Sequence, residues 1–285
     1  MPAPGSAAEA EAEAEAEAEA DTGPGTRRTH NAHIAAPGYD ANAPIVPDHP
    51  GSPMAVVTAP PPQRALPARR LRRTILRYLV GVTLGYLALW ATGALGVLAL
   101  SYWAREETPA PEGTHSVQGV HNFQPVGKQG TLWRGAAPSP EGYRALARLG
   151  VTTVVDLRAE DLTAAQLAGP HRAGLDVVRL PVRDGQTPTP GQVERFLQVV
   201  GEASGPVFVH CGAGVGRTGA MAAAYLVRTG QQSPPAAVRR NLAVGPPSIE
   251  QIYYGLSLGP DHADQPPFPV IAISRLVDAP RRMWS

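Results

Sequence analysis

The chain has 285 residues, enough for one catalytic domain with appended segments or for two small domains. Its 25 basic and 24 acidic residues nearly balance, which argues against a globally basic nucleic-acid-binding protein. A single cysteine, Cys211, excludes an intrachain disulfide framework and a cluster of cysteine metal ligands.

The N-terminal region, residues 1–77, has the composition of a disordered segment. Glutamate occupies every second position from Glu9 to Glu19, with alanine between, and Tyr39 is the one aromatic residue. Such a segment cannot bury enough apolar surface to offset the entropy lost on ordering. We therefore predict a disordered, low-complexity region, with an acidic interaction tail as the alternative.

An uncharged stretch, Tyr78 to Ala104, follows this region and contains 27 residues. As a helix it would be ~40 Å long, which exceeds the ~30 Å hydrocarbon core of a bilayer. Tyr78 at one end, and Tyr102 and Trp103 at the other, lie where membrane proteins carry aromatic belts. The stretch predicts a transmembrane helix. Gly81 and Gly85 form a small-xxx-small pair through which such helices can dimerise weakly.

The charges that flank this stretch predict its orientation. Six arginines lie in residues 64–77, whereas Arg105, Glu106 and Glu107 follow the stretch. The positive-inside rule places the N-terminus in the cytoplasm and the following domain outside it. A cleaved export signal is the alternative, because the sequence around Arg72 resembles a twin-arginine motif. Its apolar core would, however, be much longer than the usual ~7–15 residues.

The rest of the chain divides into a linker (105–119), a folded domain (120–258) and a C-terminal tail (259–285). In the domain, apolar and β-branched runs that predict strands alternate with segments of helical periodicity. This alternation predicts an α/β fold with a central, mostly parallel sheet flanked by helices. The predicted strands are Thr131–Arg134, Val151–Val155, Asp176–Val182 and Pro206–Val209, and the main predicted helices start at Ser139, Pro190, Arg217, Pro235 and Ile249.

The lone cysteine directly follows the last predicted strand, at the sheet edge where α/β proteins bind ligands. A loop of small uncharged residues and then a helix come next, so that loop N–H groups and the helix N-terminus can converge on an anion. The same field favours the thiolate form of Cys211. Arg217 adds a planar fork of donors that matches two phosphate oxygens. This arrangement is suited to phosphoryl transfer through a cysteinyl phosphate. The loop residues are Gly212, Ala213, Gly214, Val215 and Gly216.

The segment His210–Gly219 resembles the Cys-x5-Arg signature of protein tyrosine phosphatases, in particular the compact dual-specificity and bacterial types. The resemblance covers about residues 120–258. It implies Cys211 as the nucleophile, Arg217 and the amides of loop residues 212–216 as phosphate ligands, and no metal or cofactor. It also implies that His210 orients the loop and tunes the thiolate, and that Thr218 eases departure of the thiolate from the phosphoenzyme.

The same resemblance requires a general acid on an upstream loop, and Asp184 fits this requirement. It follows a predicted strand and is flanked by Gly185 and Pro188, as in a mobile loop. It would protonate the leaving oxygen and then deprotonate the attacking water; the alternative is a turn aspartate that caps local backbone. Asp156 and Arg158 also end a strand, and we interpret them as structural.

The sequence is compatible with several hypotheses about function. A rhodanese-like sulfur transferase also uses a loop cysteine, and a silent phosphate-binding module would keep the loop without turnover. The loop has no lysine, which favours phosphoprotein substrates, with phosphotyrosine first and phosphoserine or phosphothreonine as further candidates. A membrane anchor favours a phospholipid or phosphoinositide substrate instead.

Overall fold

A single sheet organises the folded part of the chain, and a computed structural model describes residues 68–127 and 130–282 of it. The sheet has five strands in the order β1-β2-β5-β3-β4. The four longer strands are parallel, and β1 pairs antiparallel with β2 at one edge. The predicted mostly parallel sheet is confirmed. The strands are β1 (Gln124–Pro125), β2 (Leu132–Gly135), β3 (Thr153–Arg158), β4 (Asp176–Val182) and β5 (Val207–His210).

Eight helices occur in the described residues, and most of those around the sheet begin at a polar cap. Ser139, where a helix is predicted to start, accepts a hydrogen bond from the Gly142 N–H, and Thr163, Thr189 and Ser248 cap their helices in the same way. The helices are α1 (Ala68–Glu107), α2 (Pro140–Arg148), α3 (Ala164–Arg172), α4 (Pro190–Glu202), α5 (Gly216–Arg228), α6 (Pro234–Val244), α7 (Ile249–Ser257) and α8 (Phe268–Arg282).

Helices cover both faces of the sheet, as expected for strands that are apolar throughout. Successive side chains of a strand point to opposite faces. In β3, Val155 accordingly packs with Phe196 of α4, whereas Val154 packs with Leu146 of α2 on the other face. Every residue of β3 and β5 is buried, so the two strands at the middle of the sheet form a rigid base for whatever follows β5.

Helix α1 is longer than the predicted span and packs against the folded domain at its C-terminal end. It begins at Ala68, inside the region predicted as disordered, and runs to Glu107, inside the predicted linker; the disorder prediction for residues 1–67 lies outside the described residues. Ser101 and Ala104 are buried, and the Ser101 hydroxyl donates to the Leu242 carbonyl of α6 at 2.7 Å. The last residues of the predicted span itself, Ser101 and Ala104, therefore pack against the domain.

The segment predicted as a C-terminal tail contains α8. Ser274 of α8 is fully buried, and its Oγ accepts a hydrogen bond from the Glu250 N–H of α7 at 3.1 Å. On its other side α8 contacts α1, where the Tyr86 hydroxyl donates to the Leu276 carbonyl at 3.2 Å. The sequence analysis missed this helix, although its residues follow a helical amphipathic pattern; part of its exposed side is nevertheless apolar. Phe268, Ile273 and Leu276 are exposed there.

A pair of leucines at the C-terminal end of α2 tests the packing of the core. Leu146 is fully buried, whereas Leu149, three residues later, is about half exposed at 48%. Leu146→Ala should lower the free energy of unfolding by about 2–5 kcal/mol, because the cavity adds to the lost burial. Leu149→Ala should lower it much less. Denaturant unfolding measures both, and equal losses would contradict the packing described.

Candidate active site

The sole cysteine lies at the carboxyl end of the middle strand of the sheet. Strand β5 ends at His210, Cys211 follows it, and α5 begins five residues later at Gly216. Cys211 is buried, with 3% of its surface exposed. The structure thus places the cysteine, the loop and the helix N-terminus in the arrangement that the sequence predicts for an anion site.

The carbonyl groups of the loop are held from outside by donors on β2 and the segments around it. In a trans peptide the C=O and N–H groups point in opposite directions. Carbonyls that are fixed outward therefore turn the next N–H groups toward the inside of the loop, where they can converge on an anion. The bonds run from Ala137 N to Gly212 O (2.9 Å), from Asn122 Nδ2 to Ala213 O (2.9 Å), and from Arg134 NH2 to Gly214 O (2.8 Å) and Val215 O (3.3 Å).

Gly214 is the point of closest approach between this loop and β2. Its φ of +73° lies in the left-handed region that favours glycine, and a Cβ atom there would overlap the backbone of Gly135 and Ala136. A side chain at position 214 would push the loop away from the donors that orient it.

Arg217 is buried in the first turn of α5 and points into a group of acceptors. Its two terminal nitrogens donate to Glu160, at 2.7 and 2.9 Å, and NH1 also donates to the Val182 carbonyl at 3.1 Å. Its Nε is buried and has no hydrogen-bond partner among the described residues. The guanidinium is therefore fixed at one edge, while another donor is left for a ligand.

Glu160 is a site residue that the sequence analysis missed. It lies two positions after Arg158, at the carboxyl end of β3 and beside β5. The hydrogen bonds from Arg217 hold the pKa of Glu160 below its ordinary value, so that it stays a carboxylate. Its position after a central strand was the available signal, because the carboxyl ends of parallel strands meet at one edge.

Asp184, predicted as the general acid, lies beside Arg217. Its Oδ1 is 3.2 Å from Arg217 NH2, and its side chain is 30% exposed. The turn that carries it is fastened by α7, since the Ser248 hydroxyl donates to the Gly185 carbonyl at 2.7 Å and Gln251 Nε2 to the Gln186 carbonyl at 2.8 Å. The sequence analysis assigned no role to Gln251; the structure shows that it holds the loop of Asp184.

His210 and Thr218 flank the loop as fully buried residues. Burial lowers the pKa of His210 to about 4, so the ring is neutral at neutral pH. Its Nδ1 lies 3.1 Å from the Cys211 carbonyl, which can only accept, so Nδ1 carries the hydrogen. A neutral ring can orient the loop but contributes no positive charge to it. The Thr218 hydroxyl has no hydrogen-bond partner among the described residues.

Asp156 and Arg158 pair with each other next to this site. Arg158 donates from Nε to Asp156 Oδ1 at 2.9 Å and from NH2 to Oδ2 at 2.7 Å. Asp156 Oδ1 also lies 4.0 Å from His210 Nδ1. The pair bonds internally beside the histidine, in agreement with the structural role expected from sequence.

The sequence of the folded domain matches a known protein-family model. The model that matches residues 110–254 is described as a DSP-PTPase phosphatase fused to NAD+ kinase, and it covers about half of the chain. The chain belongs to this dual-specificity-type phosphatase family. The resemblance inferred from His210–Gly219 is thereby confirmed.

Individual relatives match a shorter stretch of the chain. A probable chloroplastic NAD kinase 2 of Oryza sativa is 40% identical over 96 residues, which make up 32% of this chain and 10% of the relative. The human dual specificity protein phosphatase CDC14C is 38% identical over 91 residues, or 32% of this chain and 20% of the relative. The chain thus spans only a tenth to a fifth of the length of these two relatives.

Solved structures of similar proteins extend over more of the chain. A variant of P. aeruginosa TpbA in complex with phosphotyrosine is 25% identical, with a TM-score of 0.43, over 60% of this chain and 98% of that one. The catalytic core of the S. cerevisiae PP-IP phosphatase SIW14, in complex with citrate, is 18% identical, with a TM-score of 0.44, over 59% and 97%.

The contact between Gly214 and β2 leads to a test of the loop. Gly214→Ala should lower the free energy of unfolding by at least about 1–2 kcal/mol, the cost of a left-handed backbone at a residue with a Cβ. It should also weaken the binding of orthovanadate, because the loop N–H groups lose their alignment. Gly191→Ala in α4 is the matched control, since a Cβ there meets open space. Wild-type vanadate affinity in the Gly214 variant would contradict this account of the loop.

Proposed function

We propose that the chain hydrolyses phosphate monoesters through a cysteinyl-phosphate intermediate. The observation that supports this most is the placement of Asp184 within 3.2 Å of Arg217, at the mouth of a loop that carries Cys211 at its base. A nucleophile, a phosphate ligand and a proton donor are then combined in one site. These are the three roles that a phosphoryl transfer to cysteine requires.

The first half of the reaction transfers the phosphoryl group to the protein. The Cys211 thiolate attacks phosphorus, the S–P bond forms, and the bond between phosphorus and the ester oxygen breaks. Asp184 gives its proton to that oxygen, so the alcohol leaves as a neutral molecule. The inward N–H groups of the loop and the free Nε of Arg217 bind the three peripheral oxygens throughout.

The second half returns the enzyme to its starting state. The Asp184 carboxylate takes a proton from a water molecule, whose oxygen attacks phosphorus. The new O–P bond forms, the S–P bond breaks, and inorganic phosphate and the Cys211 thiolate are released. The Thr218 hydroxyl, buried and without a partner among the described residues, would donate to the departing sulfur. His210 would keep the Cys211 carbonyl in place through Nδ1.

The proposed substrates are proteins that carry phosphotyrosine, with phosphoserine and phosphothreonine included in the proposal. Residues 212–216 carry no charge, so Arg217 is the one cation that the loop itself supplies. A polyphosphorylated headgroup would call for more cations. The name of the human relative, a dual specificity protein phosphatase, supports the same substrate class. A phospholipid substrate is the second candidate, favoured by the apolar helix α1.

The competing chemistries fit the site less well. Sulfur transfer does not require an aspartate beside a buried arginine. A phosphate-binding module without catalytic activity does not require a proton donor. Turnover of p-nitrophenyl phosphate, compared with sulfur transfer from thiosulfate to cyanide, separates the three readings.

We also propose that α1 anchors the chain in a membrane as a single span. By length and composition, Arg70–Glu107 is the one described stretch of helix able to cross a bilayer. Because Ser101 and Ala104 are buried against α6, the lipid-facing part would be Tyr78–Val97. Its 20 residues are ~30 Å long, which matches the hydrocarbon core. Pairing of two chains through Gly81 and Gly85 belongs to the same proposal, since a Cβ at either glycine meets open space.

Helix α8 fits this membrane proposal. It contacts α1 at Tyr86 and, through Val277, at Gly93, both within the proposed span. Its outward side carries Phe268, Ile273 and Leu276, which are 79%, 47% and 48% exposed. Because Tyr86 lies near the middle of the proposed span, a bilayer around α1 would receive these apolar side chains in its hydrocarbon region.

Cys211→Ser tests the nucleophile. A serine hydroxyl is protonated at neutral pH and attacks far more weakly than a thiolate, so turnover should be abolished. Binding of a phosphotyrosine peptide should persist, because the loop amides and Arg217 are unchanged. Steady-state kinetics and calorimetry measure the two quantities. Substantial turnover in the pure variant would rule out the covalent route.

Asp184→Asn tests the general acid. The kcat should fall by ~10²–10⁴, and the fall should be smallest for aryl phosphates whose leaving group needs little protonation. The decline of the rate toward alkaline pH should flatten as well. The exposed Asp161, on the segment after β3, gives the control Asp161→Asn, which should keep the wild-type profile. An unchanged profile in the Asp184 variant would assign the acid to another residue.

Protease treatment of intact cells tests the proposed topology. The positive-inside rule places the domain that follows α1 outside the cytoplasm. Added protease should therefore remove residues after Ala104, while an epitope placed before Arg77 stays protected. Digestion of the N-terminal epitope instead would invert the topology and assign cytoplasmic substrates.

A further inference from the structure

A second buried arginine lies directly beneath the phosphate-binding loop. Arg134, on β2, is 4% exposed and pairs in register with Val209 of β5, two positions before Cys211. Its NH2 donates to the carbonyls of Gly214 and Val215 and, at 3.0 Å, to Asn241 Oδ1. Its Nε is buried and has no hydrogen-bond partner among the described residues.

Arg134 differs from the other buried arginines of this region in having no carboxylate partner. Arg158 is paired with Asp156, and Arg217 with Glu160 and Asp184. No salt bridge to Arg134 occurs in the part of the chain that the structure describes. Burying an unpaired cation is costly, so an anion that forms nearby will be favoured in return.

The charges around the site show why this cation matters. The positive charge of Arg217 faces two carboxyl groups, and His210 is neutral. Asp156 and Arg158 offset each other, while Arg240 of α6 adds a positive charge near Arg134. Burial lowers the pKa of Arg134 to about 10, and the negative charge of Cys211 acts against that change. The uncompensated charge at the base of the loop is therefore that of Arg134.

We propose that Arg134 is a positioning residue that acts from beneath the loop, where it fixes two carbonyls outward and supplies the positive charge that stabilises the Cys211 thiolate and a bound phosphate dianion. The inference rests on the proposed cysteine mechanism and assigns its electrostatic support. In this proposal Arg217 binds the phosphate oxygens of the substrate directly, whereas Arg134 acts without contacting them.

Alkylation of the sole cysteine by iodoacetamide, measured against pH, tests the role of the charge. The thiolate is the reactive form, so the midpoint of the rate profile reports how readily Cys211 loses its proton. Arg134→Met should move the midpoint up by about one pH unit, a tenfold loss of thiolate below it. Asn241→Ala removes a neutral partner of Arg134 and should leave the midpoint in place. Circular dichroism at each pH confirms that the variants are folded.

Arg134→Lys separates charge from geometry and serves if the methionine variant does not fold. Lysine keeps the charge, but its shorter and more flexible stem does not hold a nitrogen rigidly where Arg134 NH2 meets the Gly214 and Val215 carbonyls and Asn241 Oδ1. The alkylation midpoint should stay near that of the wild type, while the affinity for orthovanadate falls about tenfold or more. A folded lysine variant with the midpoint of a free thiol would contradict the proposal, as would a folded methionine variant with a wild-type midpoint.

The wild-type protein distinguishes failure of this inference from failure of the proposed function. If the wild type turns over phosphate esters and its midpoint is unmoved by Arg134→Met, the inference alone is wrong. If the wild type shows no turnover and alkylates like a free cysteine, the proposed function is wrong as well.

Discussion

The site depends on the direction in which four carbonyl groups point. Residues 212–215 have no side chain that could bind an anion, so binding has to come from the backbone. Donors on β2 and the segments around it hold the loop carbonyls outward, and the N–H groups must then face inward. β2 and β5 are neighbours in the same sheet, so their pairing fixes the position of the β2 donors relative to the loop that follows β5.

Two buried arginines place positive charge next to this loop. Arg217, in the first turn of α5, is held by Glu160 and lies beside Asp184, and these carboxylates offset its charge. Arg134, on β2, is equally buried but is held by neutral acceptors. Arg217 can bind a ligand with a well-defined orientation because carboxylates fix the other edge of its guanidinium. In its proposed role, Arg134 supplies positive charge next to the loop, which stabilises both a thiolate and a phosphate dianion.

The sequence predicted the parts of the fold that are encoded locally. The β-branched run of β3, the Ser139 cap and the spacing from Cys211 to Arg217 each occupy a short window and could be read directly. Glu160, Arg134 and Gln251 could not, because their roles arise from contacts with residues 57, 80 and 65 positions away. Helix α8 was missed for a related reason: α1, one of the helices against which it packs, lies 190 positions away in the chain at the Tyr86–Leu276 contact.

The central claim is that phosphate leaves the substrate by way of Cys211, and rapid-quench mass spectrometry tests it most directly. The wild-type protein is mixed with p-nitrophenyl phosphate, quenched in acid within the first turnover and digested. The account predicts one phosphoryl group on the peptide that contains Cys211, formed at the rate of the p-nitrophenol burst. Release of p-nitrophenol and phosphate together, with no phosphoryl group on the protein at any time, would contradict it and assign the attack to water.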